Sequence, residues 1–275
     1  MKKYFFFVLL LICFLRVSGQ ATSSLKDEDW IKKGTDLGNA GKNEDAIKAF
    51  TEAIKLNAKS AKAYKFRGLA YTNLGQLFDA LNDLNKAVEL NNQDAQVFYF
   101  RGNVYVELGR PAEAVTDFSK AIELDNRYHE AFYNRGNMYL DLNRHTDAIS
   151  DFTKAIELDA SKPEPYLNRS IAYYYTGNTA RAMEDLNQSV RVKPDYTDGY
   201  YSRGKILLMQ KKYTEAIPDY TKVISLDPSH AGAYYERGIC YLNLGNQAEG
   251  CNDLRQAMQL GYQRAQNALR QYCGQ

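Results

Sequence analysis

The sequence has almost no net charge. Its 275 residues carry 35 Lys and Arg against 33 Asp and Glu, and no block of basic residues stands anywhere in it. A nucleic-acid partner needs a basic footprint that displaces counterions from phosphates, so that class is excluded. Histidine and cysteine are scarce too, at three and four residues. No CxxC pair occurs, and His129, His145 and His230 are scattered with no matched carboxylate or nucleophile, which leaves no zinc site of ordinary spacing. Paired acids such as Glu28 and Asp29 read as surface residues of a quarter-charged chain. GxSxG, HExxH, phosphate-cradling glycine loops and EF-hand loops are missing as well. The expectation is a protein with no catalysis and no cofactor.

Long apolar runs are confined to Tyr4 to Leu15, roughly a dozen residues where ~20 are needed to cross a bilayer. Residues 1–19 place two lysines before that run and Val17, Ser18 and Gly19 after it, the layout of a secretory signal peptide cleaved before Gln20. The alternative is a membrane anchor kept at residues 4–15. A lipoprotein is excluded, because Ile12 rather than a small residue precedes Cys13. Cleavage removes Lys2, Lys3 and Arg16, leaving 32 basic against 33 acidic residues and no membrane span. Residues 20–26 read as a polar leader.

What the chain has in abundance is one pattern. From His129 to Lys162, Phe132, Gly136 and Tyr139 share one helical stripe and Ala148, Phe152, Ala155 and Ile156 share another, predicting two amphipathic helices. Thr146 is the predicted N-cap of the second. The same plan returns every 34 residues. Its leading aromatics are Trp30, Tyr64, Phe98, Phe132, Tyr166, Tyr200 and Tyr234, and four residues later stand Gly34, Gly68, Gly102, Gly136, Ser170, Gly204 and Gly238. In the second helix the small position is Ala46, Ala80, Ala114, Ala148, Ala182, Ala216 and Gly250.

With these residues in register, the chain resembles a tetratricopeptide repeat protein over residues 27–264. The resemblance implies an all-α, right-handed superhelical solenoid of antiparallel helix hairpins. The units are 27–60, 61–94, 95–128, 129–162, 163–196, 197–230 and 231–264. Residues 265–275 close the array as a capping helix, whose pattern starts at Gln263. Gly41, Gly75, Gly109, Gly177 and Gly245 end the first helices as left-handed caps, with Asn143 and Lys211 in their place elsewhere. Pro218, inside a second helix, predicts a slight kink.

The resemblance also implies that first helices line a concave surface. Its lining here is Ile31, Lys65, Tyr99, Tyr133, Leu167, Tyr201 and Tyr235, then Leu69, Asn103, Asn137, Ile171 and Lys205, then Tyr174 and Tyr175. So tyrosine-rich a surface suits capture of an extended peptide or a helix; alternatively the tyrosines pack on neighbouring first helices. Relatives that clamp a carboxylate tail use Lys and Asn one turn apart. Here Lys65 is followed by Leu69 and Glu130 stands where a basic residue is wanted, so a chaperone tail is not expected.

Two further columns recur. Arg67, Arg101, Arg135, Arg169, Arg203 and Arg237 face Asp83, Asp117, Asp151, Asp185, Asp219 and Asp253, either as a ladder of ion pairs or as an anion site; recurrence from repeat to repeat favours the ladder. Repeat one loses both members, having Lys33 and Ala49, which favours pairing within a repeat. Cys251 and Cys240 stand in columns otherwise apolar and read as small buried hydrophobes. If the last helix runs antiparallel to its predecessor, Cys273 comes level with Cys251, and a disulfide forms in an oxidising compartment. The reading is a bacterial exported scaffold, periplasmic or secreted, that binds a protein or peptide. Its rival is an assembly subunit of an envelope or secretion complex.

Overall fold

Each link between the two helices of a hairpin turns on one residue of positive φ. Gly41, Gly75, Gly109, Gly177 and Gly245 lie between +67° and +82°, and Asn143 and Lys211 adopt the same conformation at +56° and +59°. The computed structural model describes residues 26–274. The N-terminal segment 1–19, Gln20 and nearly all of the polar leader lie outside the described residues.

Among the described residues the chain forms helices and no strand. The first helices of the hairpins are α1 (Asp27–Asn39), α3 (Ala61–Asn73), α5 (Ala95–Glu107), α7 (His129–Asp141), α9 (Pro163–Tyr175), α11 (Thr197–Met209) and α13 (Ala231–Asn243). Their partners are α2 (Asn43–Leu56), α4 (Leu77–Leu90), α6 (Pro111–Leu124), α8 (His145–Leu158), α10 (Thr179–Val192), α12 (Tyr213–Leu226) and α14 (Gln247–Gln259), and α15 (Arg264–Cys273) follows. Each helix packs on its neighbours in sequence, the arrangement of a solenoid with no single central core.

First helices also touch one another, α1 with α3, α3 with α5, α7 with α9, and α9 and α13 with α11, whereas successive second helices have no comparable contact. The first helices therefore crowd the inside of the curve. That places their outward faces on a concave surface.

Inside a hairpin the glycine seats an aromatic ring. A Cβ at Gly136 would lie 2.7 Å from the Phe152 ring, and one at Gly102 2.6 Å from that of Phe118. Ala148 and Phe152 are fully buried beneath it. In the fifth hairpin Ser170 replaces glycine opposite the smaller Leu186, and its hydroxyl donates to the carbonyl of Leu167 at 2.6 Å.

One sequence expectation changes. Thr146 is not the N-cap of α8, because the left-handed Asn143 returns the chain to helix sooner; Arg144 takes the cap and its guanidinium bonds Asp147 at 2.7 Å. Helix α12 continues through Pro218, where proline has no N–H to donate to the preceding turn.

Candidate functional site

On the concave side, each first helix offers three columns of side chains: the residue after the leading aromatic, the one after that, and the one a turn further on. The first column is anchored. Tyr99 packs on Phe118 of its own hairpin at a centroid distance of 5.9 Å and on Tyr128 at 4.8 Å. Tyr133 packs on Phe152 at 5.9 Å, Tyr201 on Tyr220 at 6.0 Å and His230 at 4.7 Å, and Tyr235 on Tyr262 at 4.9 Å. These rings are half-buried. Their ring partners are second helices and the segments that lead into the next first helix, while the hydroxyls of Tyr99 and Tyr133 reach the neighbouring first helix. Burial raises the Tyr201 hydroxyl to about 12, so it stays a proton donor.

Lys65 stands in the same column but is buried, its ammonium bonded to Asp94 at 2.7 Å and Gln96 at 2.9 Å. It offers a partner no free cation. Ile31 is buried and Leu167 half-buried.

The second column, absent from the sequence expectation, supplies the polar centre. Asn134 donates through Nδ2 to Asn103 Oδ1 at 2.9 Å and to the Tyr99 hydroxyl at 3.3 Å. One repeat on, Asn168 makes the same bonds to Asn137 Oδ1 at 2.7 Å and to the Tyr133 hydroxyl at 3.2 Å. The signal was legible as asparagine at both ends of Asn134-Arg135-Gly136-Asn137, which sets one amide on each flank of the Arg-Gly pair.

Asn103 and Asn137 line a concavity of about 330 Å³ together with Leu69, Phe100, Val106 and Asn134. Beyond it the surface turns apolar, with Ile171 37%, Tyr174 39%, Tyr175 66% and Met209 49% exposed. The Tyr174 hydroxyl donates to Met209 Sδ at 3.3 Å, and Tyr175 stacks on His145 at 4.9 Å.

The C-terminal end is charged. Glu236 is half-buried, and burial pushes its carboxyl above the ordinary range against the pull of Lys205 and Arg264. Lys205 is exposed, with its ammonium 5.9 Å from the Tyr201 ring centre.

Cys251 and Cys273 are disulfide-bonded, their Cα atoms 5.9 Å apart, and Cys240 is buried, its thiol pushed up to about 12 by that burial. No cluster of three or more His, Cys, Asp or Glu able to hold a metal occurs among the described residues. Each Arg of the recurring column grips the Asp of its own hairpin with two hydrogen bonds, as Arg101 does Asp117 at 2.7 Å through both Nε and Nη2. The arginines are thus committed to the fold rather than to an anion. No described helix is long and apolar enough to cross a membrane.

Profiles of the tetratricopeptide repeat match residues 68–109, 102–142, 129–161, 163–196, 197–230 and 219–251. Among curated proteins none matches by sequence. Solved structures share the fold. The C-terminal part of a repeat protein from Cytophaga hutchinsonii aligns with a TM-score of 0.72 and 17% identity, covering 87% of this chain and 99% of that one. A tetratricopeptide repeat protein from Parabacteroides merdae aligns at 0.64 and 23% identity, over 89% and 97% of the two chains. YrrB, described as having an unusual peptide-binding site, aligns at 0.57 and 24% identity, over 64% and 90%.

Proposed function

The chain belongs to the tetratricopeptide repeat family, and from that premise we propose that it is a non-catalytic scaffold that holds a segment of a partner protein on its concave surface. The observation that carries this reading is the contrast between the anchored tyrosines and their surroundings. The rings of Tyr99 and Tyr133 are fixed from behind, while the amides of Asn103 and Asn137 line the concavity and the exposed side chains of Ile171, Tyr174 and Met209 lie beyond it. A surface with rigid aromatic edges and unspent polar groups is preorganised for contact, since little side-chain freedom is lost on binding. Peptide capture is also what the name of YrrB states for that protein.

Export beyond the cytoplasm belongs to the same proposal. The apolar layout of residues 1–19 supports it, and so does the Cys251–Cys273 disulfide, a bond that oxidising compartments favour.

The test is site-specific photo-cross-linking from the native host. A photoreactive residue at Val106, on the concave side, is expected to capture a defined partner. The same residue at Phe78, 75% exposed on the second helix α4, is expected to capture nothing in common with it. Capture from Phe78 alone would move the functional surface to the outer helices and favour the assembly-subunit reading.

A further inference from the structure

We propose that the segment held at the centre of this surface is proline-rich and in the polyproline II conformation, laid across α3, α5 and α7 at about one turn per repeat. The inference rests on the groove reading above and narrows it to one ligand class.

Charge argues against an acidic occupant and leaves an uncharged one acceptable. Of the residues lining the central concavity, Glu107 alone carries a formal charge. The nearby Lys65 is neutralised by Asp94. An acidic tail finds no counter-ion there.

Hydrogen-bonding capacity then selects the backbone conformation. Asn103 and Asn137 each spend their carbonyl oxygen on an asparagine of the next repeat, while their amide N–H groups, on the lining of the concavity, have no hydrogen-bond partner among the described residues. An α-helix satisfies its own carbonyls and has no use for such donors. A polyproline II segment has no internal hydrogen bonds and leaves every carbonyl free, while its prolines bring no N–H that needs an acceptor.

Spacing separates polyproline II from an extended strand. Two asparagine side chains bridge α5 to α7, and two more bridge α7 to α9, which sets equivalent surface points on the order of 10 Å apart. Polyproline II advances about 9 Å per three-residue turn, so it shows the same face to every repeat. A β-strand covers a similar distance in about three residues, but its side chains alternate, so it would show opposite faces to successive repeats. Phe100, Val106 and Leu69 form the apolar shelf on which the proline rings rest.

The test is fluorescence anisotropy with a labelled oligoproline of about nine residues, enough for three turns. A Gly/Ser peptide of equal length and an amphipathic helical peptide serve as comparators. The variant is Asn103→Asp with Asn137→Asp, which keeps the acceptor used by the neighbouring asparagine and replaces the outward N–H donors with negative oxygens. Oligoproline is expected to bind about tenfold tighter than the Gly/Ser peptide, and the variant to weaken it about tenfold with unchanged circular dichroism and melting. Equal binding of oligoproline and Gly/Ser, or an unaffected variant, overturns the proposal. If the helical peptide binds best and the variant weakens it, the groove reading stands and the polyproline ligand falls. If no peptide binds while Val106 still cross-links a partner, the polyproline ligand falls as well.

Discussion

Arg135 holds Asp151 by two parallel hydrogen bonds, Nε to Oδ2 and Nη2 to Oδ1, both 2.7 Å, and its remaining nitrogen reaches Ser119 of the preceding hairpin at 2.9 Å. The arginine thus ties three helices together. Burial pushes the Asp151 carboxyl above its usual range while Arg135 draws it down, so the intact pair is worth little more than an apolar contact of the same shape. Losing one partner is a different matter, because it strands the other charge. Asp151→Ala is expected to lower stability by about 2–4 kcal/mol in urea unfolding, and Arg135→Met with Asp151→Leu to recover most of it. A single variant no less stable than wild type would show that the ladder contributes nothing.

The glycine of the hairpin makes a second prediction. A methyl group at Gly136 would overlap the Phe152 ring at 2.7 Å, and both helices are fixed by their neighbours. Gly136→Ala is expected to cost about 1–3 kcal/mol. Adding Phe152→Leu, which restores the pairing that Ser170 has with Leu186, is expected to return part of that loss. A thermal melt of the two variants decides it.

Helix α15 buries only Ala265, Ala268 and Leu269, a small apolar footing for a terminal helix. The bond between Cys251 and Cys273 closes a loop with a sequence separation of 22, and such a loop stabilises by about 3 kcal/mol. Cys273→Ser is therefore expected to raise amide exchange throughout Arg264–Cys273 while α1 to α10 keep their protection. Unchanged exchange in α15 would mean that the three apolar contacts suffice. Cys240 supplies an internal control: buried and far from ionising at pH 8, it should react with a thiol reagent only on unfolding.

Local features were legible in the sequence and cross-repeat partnerships were not. The hairpin turns announce themselves, since Gly41 or Gly75 must adopt a left-handed conformation whatever lies nearby. The Arg135–Asp151 pair was legible because both ends recur together in every hairpin after the first. Lys65 was placed on the groove because it follows the leading aromatic of its repeat, and its true partner, Asp94, lies 29 residues away at the N-cap of the next hairpin's first helix. Where repeats interlock, the contact depends on how one hairpin is rotated on another, and a column of letters carries no such angle. The bonds of Asn134 and Asn168 to the preceding repeat were missed for that reason. Thr146 was misplaced for a more local one: the turn at Asn143 ends sooner than its polar residues suggest.

Glu236 provides the pH test. Burial pushes its carboxyl above the ordinary 4.5, and the opposing pull of Lys205 and Arg264 does not cancel the effect. The folded chain therefore holds this proton more tightly than the unfolded chain does. Stability contributed by the protonated form is present below pH 4.5 and is lost as pH rises through the folded value, so at neutral pH the charged side chain is a burden on the fold. Glu236→Gln is expected to melt at a higher temperature than wild type at pH 7, to match it near pH 4, and to lose the decline between. A lower midpoint for the variant at pH 7 would reverse the sign and show that Lys205 and Arg264 hold the carboxylate more firmly than burial opposes it. In that case the charged end of the groove would be a built ion cluster rather than a site kept under electrostatic tension.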